Sequence, residues 1–323
     1  MRFALSTEQQ DFAKSLREQL TDAKTPQVIR AWNAGDTGPG RALLRQLADT
    51  GVTGLAITEE HGGLGADPVD LAVAFIEIGR AAVPGPLVES AAVIPALLHG
   101  DPATQWLPAI AEGTALATLT FDPHVPRALD ADVCELVLAV HDGAVHEATP
   151  GDRVVSVDAA RRLFDVEPGA KLADASGADA FEYGAFATAA QLLGAGLAML
   201  DLTTEYAKGR VQFGRAIGQF QAVKHHLADA LVALEMARPL LFGAAIALHA
   251  HTDVDRAVSA AKIACGDAAY VAARKALQVH GAIGYTAEYD LSLWLTKVRA
   301  LQSAWGTAPV HRERVARSLR GGR

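Results

Sequence analysis

The stretch Arg210-Val-Gln-Phe-Gly-Arg-Ala-Ile-Gly-Gln-Phe-Gln221 divides a long helical pattern into two parts. Its first residue carries a planar, permanently charged guanidinium that suits a pyrophosphate. Gly214 and Gly218 allow the backbone to come close to a ligand, and Phe213 supplies a flat apolar face. The stretch therefore predicts a ligand-binding turn between helices. The alternative for Arg210 and Arg215 is a solvated or paired charge at a helix end.

Helical periodicity extends on both sides of this turn. Apolar residues recur at helical spacing over the segments Ala187–Lys208, Gln219–His251, Asp253–Val279 and Leu291–Leu301. Helices of about 25 residues or more are long for a globular domain, so they predict a bundle that packs against another subunit.

The two regions before this bundle differ in their predicted secondary structure. Residues 1–113 predict an N-terminal helical domain, in which Ser6 and Thr7 can cap the first helix, and Pro68–Arg80 and Ser90–His99 form later ones. Residues 114–180 predict a short β domain, and residues 181–323 form the C-terminal bundle. The predicted strands are Leu116–Phe121, Glu135–Val140, Arg153–Val157 and Arg162–Val166. The fold class is thus mainly α with a small β module.

Composition excludes several classes of function. The net charge of −8 is spread along the chain, with no basic stripe for nucleic acid and no cationic amphipathic face for a membrane surface. Two cysteines without C-x-x-C spacing, Cys134 and Cys265, favour a reduced compartment and predict no metal site. The polar amphipathic N-terminus is unlike a signal peptide, and we expect no apolar run of the roughly 18 residues that span a bilayer. A cytoplasmic protein is therefore expected.

Two further glycine-rich segments accompany the central turn. Glu60-His-Gly-Gly-Leu-Gly65 lies between N-terminal helices, and Gln278-Val-His-Gly-Ala-Ile-Gly-Tyr-Thr-Ala-Glu-Tyr289 follows a long helix. In this order the three segments resemble the acyl-CoA dehydrogenase family, whose motifs read R-x-x-F-G-x-x-I-x-x-F-Q and Q-x-x-G-G-x-G-Y-x-x-E-Y. The resemblance covers nearly the whole chain and is weakest in the β module.

The resemblance implies FAD as cofactor and an acyl-CoA thioester as substrate. In the family the last two motifs bind an FAD that straddles a subunit boundary. The residues that match are Arg210, Gln212, Phe213, Gly214, Phe220, Gln221, Gln278, Val279, Gly281 and Thr307. A bare turn is the alternative for Gln278 and its glycines.

The catalytic base of the family is the feature that this sequence lacks at its usual positions. The reaction needs a carboxylate in a dry pocket, which removes a proton α to the thioester. The family motif Y-E-G-T corresponds here to Ala304-Trp-Gly-Thr307, so Trp305 replaces the glutamate, and an indole offers no proton acceptor. Members that carry the base on an earlier helix place it at the position of Gly184. Glu182 is the remaining candidate, with a solvated loop carboxylate as its alternative.

The β module departs from the family as well. The family's T-E-P-x-x-G-S-D segment is replaced by Thr118-Leu-Thr-Phe-Asp-Pro-His-Val-Pro126, and no W-I-T-type strand follows. The resemblance is therefore to the shortened, degenerate subunit of heterotetrameric actinobacterial dehydrogenases of the steroid side-chain type. It implies a catalytic dehydrogenase subunit as partner and electron-transfer flavoprotein as electron acceptor.

Three interpretations stay open from the sequence. The first is a subunit that completes an FAD site while a partner supplies the base. The second is a self-sufficient homomeric dehydrogenase with an atypical base such as Glu182. The third is a non-catalytic scaffold that binds no flavin, and other flavin chemistry on the same fold, such as that of a monooxygenase, is a further alternative.

Overall fold

Six α-helices and a π-helical turn form the N-terminal part of the chain. The computed structural model describes residues 4–174 and 178–321. The first helices are α1 Thr7–Asp22, α2 Thr25–Asn33, α3 Gly38–Asp49, α4 Pro68–Arg80, the π-helical turn Glu89–Val93 with α5 Ile94–Leu97, and α6 Asp101–Ala111. Ser6 caps α1 as predicted: its Oγ accepts from the Gln9 backbone N–H, and Gln9 Oε1 accepts from the Ser6 backbone N–H.

A five-stranded sheet follows these helices. Its strands are β1 Ala117–Phe121, β2 Ala128–Leu129, β3 Leu136–His141, β4 Ala144–Val154 and β5 Leu163–Asp174, in the order β1-β3-β4-β5-β2. Strands β1 and β3 pair in parallel, and the other pairs are antiparallel. The Leu129 N–H on β2 donates to Thr118 Oγ1 on β1 at 3.0 Å, which brings the two edges of the sheet together. This contact makes the module barrel-like.

The C-terminal half is a helical bundle around one central helix. Its elements are α7 Ala178–Gly209, the hairpin β6 Val211–Gln212 and β7 Arg215–Ala216, α8 Gln221–Ala250, α9 Val254–His280, α10 Leu291–Leu301 and α11 Ala308–Gly321. Helix α7 lies against α4, α8, α9 and α10. Its residues from Phe181 to Met199 are almost all buried because they are apolar or small on every face. The predicted order of helices, β module and bundle is confirmed.

Among the described residues, two helices satisfy the length and composition of a membrane span. They are α7, from Asp179 to Gly209, and α8. The expectation that no segment is long and apolar enough is therefore wrong on these criteria. The core helix of a protein can have the same length and composition, and 83% of the most apolar window of α7 is buried, against 39% for α8.

Glycines allow α4 and α7 to cross in backbone contact. A Cβ at Gly194 on α7 would overlap the Ile76 carbonyl group on α4, and a Cβ at Gly79 would overlap the Gln191 carbonyl group. The close approach of these helices therefore requires that both positions lack a side chain.

We predict that Gly194→Ala lowers the free energy of unfolding by about 1–3 kcal/mol, because the methyl group forces two packed helices apart. Gly266→Ala on α9 is the matched control: its Cβ would meet only Leu192 Cδ1, at 3.8 Å, so we expect a neutral or slightly stabilising effect. Urea denaturation of both variants measures the difference. Equal effects would show that the crossing does not depend on the glycine.

Candidate functional site

The Arg210 stretch forms a tight β-hairpin between α7 and α8. Phe213 and Gly214 lie at its tip with φ values of 51° and 77°, as a type I′ turn requires. The Arg210 carbonyl oxygen accepts from the Ile217 N–H at 2.8 Å, which closes the base of the hairpin. The Phe213 side chain is 92% exposed, and the Arg215 guanidinium lies 4.1 Å from the centre of the Phe220 ring.

The predicted ligand groups of this hairpin face outward. Arg210, Gln212 and Gln221 are exposed. Within residues 4–174 and 178–321, the Arg210 guanidinium makes no hydrogen bond or ion pair. The exposed Phe213 ring and the unpaired Arg210 guanidinium leave an aromatic face and a cation free for a ligand.

The Gln278 motif forms a second turn, at the end of α9. Gly281 has a φ of 66° and nothing within 4 Å of an added Cβ, so the backbone is open to a ligand there. Gln278 is exposed, Val279 is half-buried, and Gln278 and Gly281 line a groove of about 760 Å³ between α9 and α10.

An aromatic stack holds the two turns close together. Tyr206, whose carbonyl oxygen accepts from the Arg210 N–H, stacks on His280 with ring centroids 4.2 Å apart. His280 immediately precedes Gly281, and its Nδ1 lies 2.8 Å from the Ala276 carbonyl oxygen. Burial lowers the pKa of His280, although the bond to Ala276 opposes the shift, so a neutral ring is favoured in the stack.

The residue at the position of the family base lies in a buried turn between α10 and α11. Trp305 has a φ of 54° and Gly306 a φ of 95°. The indole is 1% exposed and packs against Phe121 and Phe181, each with its ring centroid 6.1 Å away. Its Nε1 donates to Glu89 Oε1 at 3.1 Å.

Gly184, the other position of the family base, lies directly against this indole. A Cβ at Gly184 would overlap ring carbons of Trp305. The two base positions, far apart in the sequence, therefore converge on one space, and the indole fills it. A side chain at Gly184 and the indole of Trp305 exclude each other.

A buried polar network holds the backbone of the Trp305 turn. His311 lies with Nε2 2.9 Å from the Trp305 carbonyl oxygen and Nδ1 3.0 Å from Ser259 Oγ. Burial, reinforced by the Lys262 charge, lowers the pKa of His311 to about 4, so the ring is neutral at pH 7. The Lys262 ammonium donates to the Leu301 and Gly306 carbonyl groups, and burial lowers its pKa to about 7.

Glu182 belongs to this network and not to a cavity. Its carboxylate forms an ion pair with Arg314, and the Arg314 Nε donates to Ser259 Oγ. Burial raises the pKa of Glu182, and the Arg314 charge opposes the shift. Glu182 lines neither the groove between α9 and α10 nor the cavity beside Trp305. Its role as a base stays a prediction without support from the geometry.

The Trp305 cavity, of about 560 Å³, lies between the β module and the α10–α11 turn. Its walls include Glu89, His124, Trp305 and Thr307. Thr307 is thus separate from the other predicted FAD residues, which lie on the hairpin and at the end of α9. Among the described residues no group of three or more His, Cys, Asp or Glu side chains could hold a metal ion.

Sequence reasoning missed Glu89. It is 2% exposed and lines the cavity from the π-helical turn. The segment Pro86-Leu-Val-Glu-Ser-Ala-Ala-Val93 reads as a helix start, so its single carboxylate looks like a solvated charge. The apolar residues on both sides of Glu89 were the available signal that this carboxylate is buried.

Comparisons with known proteins agree with this architecture. Residues 6–114 match the acyl-CoA dehydrogenase N-terminal domain, and residues 176–320 match the acyl-CoA dehydrogenase C-terminal domain. The chain belongs to the acyl-CoA dehydrogenase family. The family's members are FAD-dependent oxidoreductases, and the family resemblance of the sequence is confirmed.

Among similar proteins is the acyl-CoA dehydrogenase IpdE2 of Mycobacterium tuberculosis, which is 36% identical over 84% of this chain and 85% of its own length. The fold is shared with the ChsE4-ChsE5 complex from M. tuberculosis, at a TM-score of 0.86 and 22% identity over 99% of both chains. It is also shared with the Tcur3481-Tcur3483 steroid acyl-CoA dehydrogenase, at a TM-score of 0.84 and 23% identity over 98% of both chains. The acyl-CoA dehydrogenase fold is therefore confirmed.

We predict that Gly184→Ala lowers the free energy of unfolding by about 1–3 kcal/mol, because the new methyl group overlaps the Trp305 ring. In a Trp305→Ala background the same substitution should cost much less, since the ring is gone. A double-mutant cycle from urea denaturation measures this coupling. The same cost in both backgrounds would show that the two positions are independent.

Proposed function

We propose that this chain is a non-catalytic subunit of an FAD-dependent acyl-CoA dehydrogenase and contributes to an FAD site that it shares with a catalytic subunit. The observation that carries the proposal is the set of outward-facing ligand groups on adjacent turns. The unpaired Arg210 guanidinium, the exposed Phe213 ring and the open backbone at Gly281 present a cation, a flat apolar face and room for close approach. These groups fit the phosphates and adenine end of FAD.

When bound, FAD would supply the acceptor for the hydride that leaves the β carbon of the thioester. The residues of this chain would hold the cofactor: Arg210 would donate to phosphate oxygens, and Gln278 would offer amide hydrogen bonds beside the open turn at Gly281. Proton abstraction needs an acceptor within hydrogen-bond reach of the α carbon. The indole of Trp305 has none, and Gly184 has no side chain. The base is therefore supplied by the partner, at the partner's own site.

Two observations favour a heteromer. ChsE4-ChsE5 and Tcur3481-Tcur3483 are each named as two different proteins, and this chain shares their fold. Helix α8 also exposes an apolar stripe at helical spacing, formed by Val232, Met236 and Leu240, which are 61%, 70% and 45% exposed. An apolar stripe on one face of a long helix fits burial against another helix of an assembly.

The remaining parts of the function follow from the family and its relatives. The substrate is an acyl-CoA thioester, for example a steroid side-chain CoA ester, and electron-transfer flavoprotein accepts the electrons. We also propose the cytoplasm as the site of action, because two cysteines without C-x-x-C spacing favour a reduced compartment. The homomeric alternative with Glu182 as base is less well supported, since that carboxylate pairs with Arg314 away from the cavity.

The experiment that tests the proposal measures bound flavin in the complex of this chain with its dehydrogenase partner. The heteromer should carry about one FAD per two chains, because the β module of this chain lacks the family's T-E-P-x-x-G-S-D and W-I-T-type segments, which help to enclose the flavin ring. Arg210→Ala should weaken FAD binding at least about tenfold, since a charge-assisted contact to phosphate contributes about 1.5–3 kcal/mol.

The control is Arg317→Ala, which removes an exposed arginine whose partner is Glu313 on the same helix. Its flavin content should equal that of the wild type. Unchanged flavin in Arg210→Ala, or a full FAD per chain in an assembly of this chain alone, would contradict the proposal.

A further inference from the structure

The hairpin that carries Arg210 projects from the end of α7 with little packing of its own. Residues 211–215 are all exposed. The Arg210 N–H donates to the Tyr206 carbonyl oxygen at 2.9 Å, so the last turn of α7 leads directly into the hairpin. The place of Arg210 relative to the Gln278 turn therefore depends on the contacts that hold the end of α7.

The ring of His280 joins the end of α7 to the end of α9. It is 5% exposed and stacks on Tyr206, with the two ring planes inclined at 24°. Tyr289, in the segment that leads into α10, lies with its ring centroid 5.2 Å from that of His280. The two tyrosines also meet edge to face, with centroids 6.1 Å apart. Three segments of the chain thus converge on one buried imidazole.

The imidazole contributes a flat face to this cluster more than a set of hydrogen bonds. Its Nδ1 lies 2.8 Å from the Ala276 carbonyl oxygen, so Nδ1 carries the proton and the bond stays within α9. Its Nε2 is buried and has no hydrogen-bond partner in the described part of the chain. Between α7 and α9 the ring therefore acts through its stack on Tyr206, a contact that any flat ring of similar size could make.

We propose that His280 is a positioning residue for FAD: its stacked ring sets the distance between the Arg210 hairpin and the Gln278 turn. The inference rests on the proposed FAD site. His280 is itself buried, so it acts through Arg210 on one side and through Gly281, the next residue along the chain, on the other. Two turns that hold one cofactor must lie at a matching distance, and a distance that is fixed before binding lowers the free-energy cost of binding.

The test measures FAD affinity in the complex of this chain with its dehydrogenase partner. His280→Ala should weaken FAD binding by about two- to tenfold, the factor that corresponds to the loss of one aromatic pair. His280→Phe keeps a ring against Tyr206 and should bind FAD like the wild type. His280→Asn can still donate to Ala276 but has no ring, so its FAD affinity should be as low as that of His280→Ala.

Two further comparisons separate positioning from a general loss of stability. In an Arg210→Ala background, His280→Ala should weaken FAD binding by a smaller factor, because the contact that the ring positions is already absent. Gly194→Ala is the matched control: it disturbs the crossing of α4 and α7 without touching either turn. Its complex should be less stable and should bind FAD like the wild type.

Wild-type FAD affinity in His280→Ala, an equal loss in His280→Phe, or the same loss factor with and without Arg210 would each overturn the role of His280. An equal loss in Gly194→Ala would also overturn it, since lower stability alone would then account for the effect. If Arg210→Ala still weakens FAD binding in that case, the proposed FAD site stands and only the role of His280 fails. If Arg210→Ala has no effect either, both fail.

Discussion

The mutual exclusion between the Trp305 indole and any side chain at Gly184 is the constraint on which the site depends. The family places its base at one or the other of these positions, and in this fold both lead into one space. Once an indole fills that space, neither position can carry a carboxylate without a rearrangement of the turn. The left-handed backbone at Trp305 and Gly306 is held by His311 and Lys262, both buried, so the ring has little freedom to leave.

Most residues that match the family's FAD motifs lie elsewhere and, unlike the buried Trp305 turn, are exposed to solvent. Arg210, Phe213 and Gln278 are exposed in the single chain, where an unpaired cation and a solvent-exposed phenyl ring bring no stability. Their arrangement fits the proposed burial against FAD and a second subunit. The positions of the family base are filled by an indole, whereas the proposed cofactor-binding groups are exposed. This difference supports the proposal that this chain binds the cofactor while another chain supplies the base.

Much of the fold could be predicted from the sequence because its helices have strong local signals. Helices α4 and α10 have the predicted bounds, Pro68–Arg80 and Leu291–Leu301, since Pro at a first turn and apolar periodicity are local features. The β module was harder. Strands β4 and β5 extend well beyond the predicted segments, and bulges beside Pro150 and Gly151 break the alternation on which a strand prediction depends. The short strand β2 left no pattern at all.

The candidate site could likewise be predicted from the sequence only in part. Its glycine-rich motifs were visible because they specify the backbone locally, whereas the role of Glu89 depends on burial and on a contact with Trp305, far away in the sequence. The convergence of Gly184 and Trp305 is likewise a property of helix packing and could not be seen in either segment.

The central claim is that this chain supplies no base, and proton exchange at the α carbon tests it most directly. The measurement uses the complex whose partner carries Gln in place of its motif glutamate, in deuterated water, with a CoA thioester whose β carbon is replaced by sulfur so that no hydride can leave. The account predicts that deuterium enters the α position no faster than without protein. Exchange that persists in this complex, and disappears when Glu89 is replaced by Gln, would show a base on this chain and contradict the account.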